Sequence, residues 1–362
     1  MTSYRYLFTD TVTNSVLAEL PLTDVNFTQA INTFGTLNAT LLLSGVPAAS
    51  NTAAATIPMR CSLYVDRDGV LVWGGLVVAR EYSSQAQSIK ITAREFEYYL
   101  DRRRITTTQG FNNVDQLLIA RTLVNNAQAV TGGNIGIQVG SELSGVNVSR
   151  VFYNYELKSV YQALLDLSRS NNGFDFNIQV AYDGAGNPTK TLLLNYPQSG
   201  TRYSATSVTA PMFEFPAGNI VEYSYPEDGS IAANTLYVVG AGSSDAKLIA
   251  TATASAQLAA GWPLLEDMAN FSDITDATLL NNLAVGQLAA VEYPPTTLQI
   301  VAPPAQNPVL GSYRIGDDIR VRIRDDRFPN GLDAVYRLVA LSLTAGEAGP
   351  ERVTLTLTLP TS

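Results

Sequence analysis

The chain has 362 residues, 46% of them hydrophobic, and a net charge of -9, which is long enough for two to four compact units. It holds no histidine and one cysteine, Cys61, which excludes Ser-His-Asp and Cys-His catalysis, histidine metal sites, an intrachain disulfide framework and cysteine-held zinc or iron–sulfur centres. Charged residues make up only 15% against roughly 25% in an average globular protein, so the surface is built of Ser, Thr, Asn, Gln and Gly or is covered by other subunits. The N-terminus lacks an apolar core and a small-residue cleavage site, so no signal peptide is expected. No stretch is apolar enough to span a bilayer as a helix, and a soluble protein made in the cytoplasm is expected.

Residues 4–100 read as strands: Tyr4–Phe8, Ser15–Leu20, Thr36–Leu43, Cys61–Val65, Val70–Trp73, Gly75–Glu81 and Ile89–Arg94, each bounded by turn residues. Asp66-Arg67-Asp68-Gly69 is a hairpin turn with Gly69 supplying positive φ; as a calcium loop it lacks the further ligands and the closing Glu. Glu95–Arg104 reads as a short helical exit ending in Arg102-Arg103-Arg104, a solvated face or an interface clamp. Beyond Gly110 the pattern becomes helical, with Asn112 or Asn113 as the cap of a helix through Val114, Leu117, Leu118 and Ala127. Leu157, Val160, Tyr161, Leu164 and Leu165 form a second helical stripe, ended by Asn171-Asn172-Gly173. A hairpin follows, Phe174–Tyr182 with Thr191–Tyr196, around an Asp-Gly-Ala-Gly-Asn-Pro turn.

Strands return in 201–245, residues 246–292 read as helical, and 296–362 are again β. Within the helical stretch, Ser272 or Asp273 is the expected cap of a helix over Ala277–Val291, which Pro294-Pro295 stops. The domains expected are a first β-barrel over 1–105, an α+β unit over 106–200, a second β-barrel over 201–245 and 293–362, and a helical insertion over 246–292. The fold class expected is mainly β with α+β insertions, two antiparallel β-barrels being joined by helix-containing domains. Cys61–Thr92 and Ile319–Thr358 share one plan: strand, acidic turn, long strand, small-residue turn, strand. Either any two meanders look alike, or the ends are related barrels that fill two equivalent places in a ring.

Acidity is uneven. Residues 201–300 hold 2 basic and 10 acidic residues, whereas the rest of the chain is nearly balanced, and no basic face for reading DNA is visible. The carboxylate pairs Asp66/Asp68 and Asp325/Asp326 lie in turns beside Arg, where solvated turn residues are expected rather than a glycosidase pair. Gly-x-Ser-x-Gly does not occur. No catalytic, cofactor or metal residues are nominated. Cys61, at a strand start, is expected to be a small buried hydrophobe rather than a reactive thiol.

Four segments carry a family resemblance when taken in order. They are Trp73-Gly74-Gly75-Leu76-Val77-Val78-Ala79-Arg80 with the string from Ile91 to Arg103; the helix Leu157–Leu167 leading to Gly173-Phe174-Asp175-Phe176 and the return strand Thr189-Lys190-Thr191-Leu192; Trp262-Pro263-Leu264-Leu265-Glu266 with the Leu279–Ala290 helix; and Tyr313 to Ile319 followed by Arg324-Asp325-Asp326-Arg327-Phe328-Pro329-Asn330-Gly331 and the closing strands. The chain resembles the baseplate hub and minor tail proteins of tailed phages with long non-contractile tails. The resemblance implies two barrels per subunit and a homotrimeric ring that adapts a hexameric tail tube to three-fold tip proteins. Double-stranded DNA would pass through its centre without specific binding. The implied partners are copies of itself, a tail-tube or distal tail protein, the tape-measure protein and tip or fibre proteins. The implied location is the virion tail tip, assembled in the host cytoplasm. Some relatives carry a lysin or fibre-binding domain downstream, and none is expected here because the chain ends after the closing strands. Trp73, Arg102, Arg103 and Arg104 are the interface residues expected. Glu214, Glu222, Glu227 and Asp228, from the acidic segment, face the channel or simply keep the outer surface soluble. A carbohydrate-binding or adhesin module, with its low charge and 18 tyrosines, is the competing reading.

Overall fold

In the computed structural model the described residues are 2–45, 51–204, 207, 209–272, 274–292, 297–345 and 350–359. The N-terminal strands are β1 (Tyr4–Asp10), β2 (Val16–Glu19), β3 (Leu22–Ala30), β4 (Thr36–Leu42), β5 (Cys61–Arg67), β6 (Val70–Ser83) and β7 (Ser88–Glu95), with the one-turn helix α1 (Thr52–Ala55) before β5. Next come α2 (Glu97–Asp101), β8 (Gln109–Asp115), α3 (Gln116–Ala129), β9 (Ile137–Val139), β10 (Asn147–Phe152), α4 (Val160–Ser168), β11 (Asp175–Tyr182) and β12 (Pro188–Asn195). The remainder is β13 (Met212–Phe215), β14 (Glu222–Ser224), β15 (Thr235–Val239), β16 (Ile249–Thr253), α5 (Ser255–Ala259), β17 (Glu266–Asn270), α6 (Ala277–Val291), β18 (Leu298–Ala302), β19 (Asp318–Ile323), β20 (Leu332–Thr344) and β21 (Arg352–Thr358).

The fold is mainly β, as expected, and among the described residues neither end closes as a barrel of its own. β3 pairs antiparallel with β20, Ala30 opposite Ala340 and Asn26 opposite Thr344, which fuses both ends of the chain into one 13-stranded sheet. Its order is β14-β18-β21-β20-β3-β4-β7-β6-β5-β1-β2, with β19 on β20 and β13 on β19. Among the described residues this path stays open, between β2 and β14. One core serves both ends, Phe27, Trp73 and Leu41 packing in the same cluster as Phe213, Tyr336 and Leu355. The repeat seen in the sequence is present as two antiparallel meanders, β5-β6-β7 and β19-β20-β21. Each long central strand carries a register shift, at Val77/Ala79 and at Leu338/Ala340.

Local sequence explains how the strands are used. β21 alternates strictly, Val353, Leu355 and Leu357 buried and Thr354, Thr356 and Thr358 half-buried on the other face, the mark of a strand with one covered side. β5 instead is buried without interruption from Cys61 to Asp66. Leu63 and Val65 enter the sheet core while Tyr64 enters a second core, together with Leu7 and Leu76, beneath the α/β unit of α2–α4 and β11–β12.

Three sequence readings need correction. Asn112 and Asn113 do not cap a helix; they lie in β8, and Asp115 caps α3 by accepting hydrogen bonds from Leu117 N at 2.9 Å and Leu118 N at 3.4 Å. Residues 246–292 are not all helical: β16 and β17 flank β15, one antiparallel and one parallel, and α6 covers one face of this small sheet. β15 therefore joins that sheet rather than the C-terminal strands. The alternation of Ala with Thr in β16 hid a strand inside an Ala-rich stretch. Helix α6 has the bounds expected, with Asp276 as its cap; Asp273 and Pro294-Pro295 lie outside the described residues.

Candidate assembly surfaces

The acidic candidates sit on and beside two short strands. β13 runs parallel to β19, which sets Glu214 opposite Arg322, and their side chains approach to 3.4 Å. Arg322 also meets Asp333 at 3.1 Å, and Asp333 is held by Arg320 at 2.7 Å. Glu227 pairs with Arg327 at 3.0 Å. Glu222 and Asp228 are exposed. Asp228 accepts from Ser230 N at 2.9 Å, which draws its carboxyl below the usual range. Two of the four carboxylates are thus matched by arginines, and two remain as outward negative charge. Asp325 follows the turn reading, its Oδ1 accepting from Arg327 N at 3.0 Å and Phe328 N at 3.1 Å; Asp66 departs from the solvated residue expected, because it is buried at the end of β5, where Oδ1 accepts from Gly69 N at 2.7 Å and Oδ2 from Tyr182 Oη at 2.7 Å.

The basic candidates separate. Trp73 offers no surface, contrary to the expectation of an interface: it is fully buried, its Nε1 donates to Thr28 O at 3.1 Å, and its ring lies against Phe27. A large amphipathic ring whose N–H finds a carbonyl is at home in a core. Arg103 is a brace, donating to Ala127 O at the end of α3 at 2.9 Å with its guanidinium over Tyr99. Arg102 and Arg104 point outward and enter no ion pair among the described residues. The backbone around Arg104 runs beside the segment that leads into α4, through the Arg104–Ser159 bridge and Ile105 N to Lys158 O at 3.0 Å. That segment shows what the sequence missed. Leu157, counted into the helical stripe, precedes the helix in a left-handed conformation (φ 47) and is exposed, as is Tyr155, which stacks on Tyr153. Ser159 caps α4, its Oγ accepting from Gln162 N at 3.0 Å; an N-cap serine at that position was the available signal that Leu157 lies outside.

Three buried charges also escaped the sequence. Glu95 accepts from Gly35 N at 2.6 Å and from Gln29 at 3.1 Å, while Glu97 accepts from Ile178 N and keeps Oε2 without a partner. Burial raises the pKa of both carboxyls. Lys190 lies at a cleft of about 400 Å³ between the β1–β2 turn and the β11–β12 turn. Its ammonium donates to Ile135 O at 2.6 Å and lies over Phe96, and burial pushes its pKa down to about 8. It ties three chain segments together. Cys61 is buried, its thiol against Ala54 O at 3.1 Å, and burial raises its pKa. No cluster of residues able to hold a metal occurs among the described residues, and no helix there is long and apolar enough to cross a membrane.

No protein-family model matches the chain, and no curated protein sequence does. Solved structures do. A tail protein from Neisseria meningitidis superimposes with a TM-score of 0.61 at 14% identity, over 99% of this chain and 96% of that one. The 43 kDa tail protein of prophage MuSo2 from Shewanella oneidensis gives 0.56 at 14% identity, over 99% and 97%. The prophage tail protein gp18 from Listeria monocytogenes gives 0.53 at 16% identity, over 97% and 94%. The chain therefore has the fold of phage tail proteins along nearly its whole length, as the sequence resemblance implied.

Proposed function

We propose that this chain is a structural, non-catalytic subunit of a phage tail tip: a hub that assembles as a homotrimeric ring and adapts a hexameric tail tube to three-fold tip or fibre proteins. The observation that carries the reading is the pair of bulged meanders placed on one sheet with a shared core. A trimer of such chains presents six meanders, so a subunit with two similar halves can meet a six-fold neighbour on one side and a three-fold one on the other. The partners are then other copies of the chain, a tail-tube or distal tail protein, the tape-measure protein, and tip or fibre proteins, within a virion tail assembled in the host cytoplasm.

Double-stranded DNA would pass through the ring without specific binding. DNA carries one negative charge per about 1.7 Å of axis, and a basic wall would hold it. Glu214, Glu222, Glu227 and Asp228 are the channel-facing candidates, with Glu222 and Asp228 contributing the uncompensated charge. A reconstruction of the assembled tail tip tests both points. The expected result is three copies of the chain with six meander positions around a neutral or acidic channel. Another symmetry overturns the hub reading, and an arginine-lined channel overturns the second point alone.

A further inference from the structure

β11 is an edge strand of the three-stranded sheet β11-β12-β9. Along the edge that β12 leaves free, its amides are taken up by side chains instead of a neighbouring strand. Phe176 N donates at 2.8 Å to Oδ1 of Asn32, in the turn between β3 and β4, and Ile178 N donates to Oε1 of Glu97 in α2. Asn32 is neutral at every pH, so only Glu97 can change its charge. Glu97 is buried, and its Oε2 has no hydrogen-bond partner among the described residues. A second buried carboxyl, Glu95 at the end of β7, lies within reach of its charge and accepts from Gly35 N and Gln29. The surrounding charges are engaged elsewhere. Tyr161 of α4, which feels Glu97, Asp101 and Arg169, donates to Asn32 O at 3.1 Å. Asp101 accepts from Ser159 Oγ at 2.9 Å, and Asp175 of β11 is held by Ser199 N and Arg337. Tyr64 of β5 donates to Asn14, Lys190 of β12 to Ile135 O, and Arg94 of β7 stands over the rings of Phe34 and Tyr98. Neither glutamate enters an ion pair among the described residues. A carboxyl buried without a cation keeps its proton, because desolvation penalises the charged form.

We propose that Glu97 is a proton-held joint between the first meander and the α/β unit: protonated, it keeps the edge of β11 seated on α2, and ionised, it releases that edge. As an anion it would have one amide for two oxygens and a second carboxyl beside it, and it reaches water only if β11 moves away. The seated form therefore holds the proton more tightly than the released form, in which the group is solvated. Release grows as pH rises from the ordinary glutamate range towards neutrality and levels off above it. Burial raises the pKa of both carboxyls, in keeping with this direction. The joint is local to one strand edge and is independent of the hub reading.

Amide hydrogen exchange of the full-length chain tests this across the pH range from the ordinary glutamate value to mildly alkaline. The rates at Phe176 and Ile178 are divided at each pH by those of β21 amides, so that the intrinsic pH dependence of exchange cancels. In the wild type this ratio should rise by up to about tenfold per pH unit below neutrality and then level off. Glu97→Gln keeps the shape of the side chain without its titrating proton and should make the ratio flat, with circular dichroism establishing that the variant is folded. A wild-type ratio that stays constant overturns the joint, since β11 then opens only together with the whole fold. A rise that survives in Glu97→Gln overturns it as well. Should the variant be unfolded, a carbon-13 titration of the glutamate carboxyls in the wild type decides: a carboxyl changing charge near neutrality supports the joint, and glutamates that all titrate in the ordinary range overturn it.

Discussion

The meanders β5-β6-β7 and β19-β20-β21 share connectivity, central strands of 14 and 13 residues, and a bulge in each central strand. They differ in what lies behind them. The first is covered on its back face by the α/β unit, so Tyr64 and Leu76 are fully buried there. The second keeps Arg320 and Arg322 of β19 and the threonines of β21 on its open back face. The difference is written in residue order. Cys61-Ser62-Leu63-Tyr64-Val65 has no polar alternation beyond one small hydroxyl, whereas Ile319-Arg320-Val321-Arg322-Ile323 alternates strictly. One backbone plan thus serves a two-sided interior position and a one-sided surface position, and only the side chains of every second residue decide which.

The comparison can be broken most severely at Tyr64. Tyr64→Ala should cost about 3–5 kcal/mol in chemical denaturation, the range for emptying a buried aromatic site, while Tyr64 Oη also loses its bond to Asn14. Glu97, next in expected size, lies where the first meander hands over to the α/β unit. Burial raises its pKa to about 7, well above the ordinary glutamate value of about 4.5, so the folded chain keeps a proton that the unfolded chain releases. Stability contributed by this proton is full below about pH 4.5 and is lost as pH rises towards about 7, at up to about 1.4 kcal/mol per pH unit. Glu97→Gln should flatten that slope in urea titrations at pH 5 and 8 and stabilise the protein at the higher pH; an unchanged slope would show that the group ionises freely.

Gly74 sharpens the comparison at the point of closest cover. A Cβ there would lie 2.7 Å from Val180 Cγ1 of β11 and 2.9 Å from Tyr64 Cδ1. Gly74→Ala should cost about 1–3 kcal/mol by overpacking and should loosen protection of the β11 amides in hydrogen exchange. On the open meander Arg320→Ala should cost no more than about 1 kcal/mol, because Asp333 is 45% exposed and the pair is screened by salt. The smallest effect expected is at Cys61: native protein should label with a thiol reagent only slowly, and rapid labelling would show that the thiol is reachable.

Legibility in the sequence followed locality. The strands of both meanders and the bounds of α6 could be read because alternation and helical spacing act over a few residues. The β3–β20 pairing could not, since nothing near Phe27 or Leu343 announces a partner over 300 residues away. Among the candidate surface residues, the acidic cluster was visible as composition, but its pairing with Arg322 and Arg327 required the parallel placement of β13 on β19 and the return of the chain near Glu227. Glu95 and Glu97 look like ordinary solvated acids in sequence, but distant segments meet them: Ile178 of β11 donates to Glu97, and Gly35 and Gln29 donate to Glu95. Trp73, expected at an interface, is likewise buried by partners distant in sequence: Thr28 O accepts from its Nε1 and Phe27 lies against its ring.

The seam between β3 and β20 has a consequence for how the chain is made. Asn26 bonds to Thr344 across 318 residues, and closing a loop of that length costs on the order of 5 kcal/mol of chain entropy. At roughly 5–20 residues per second on the ribosome, the free edge of β3 waits about 15 to 60 s for its partner to be synthesised. The order of synthesis therefore acts as a timer: the shared sheet, and every surface that depends on its shape, comes into being only after β20 has been translated.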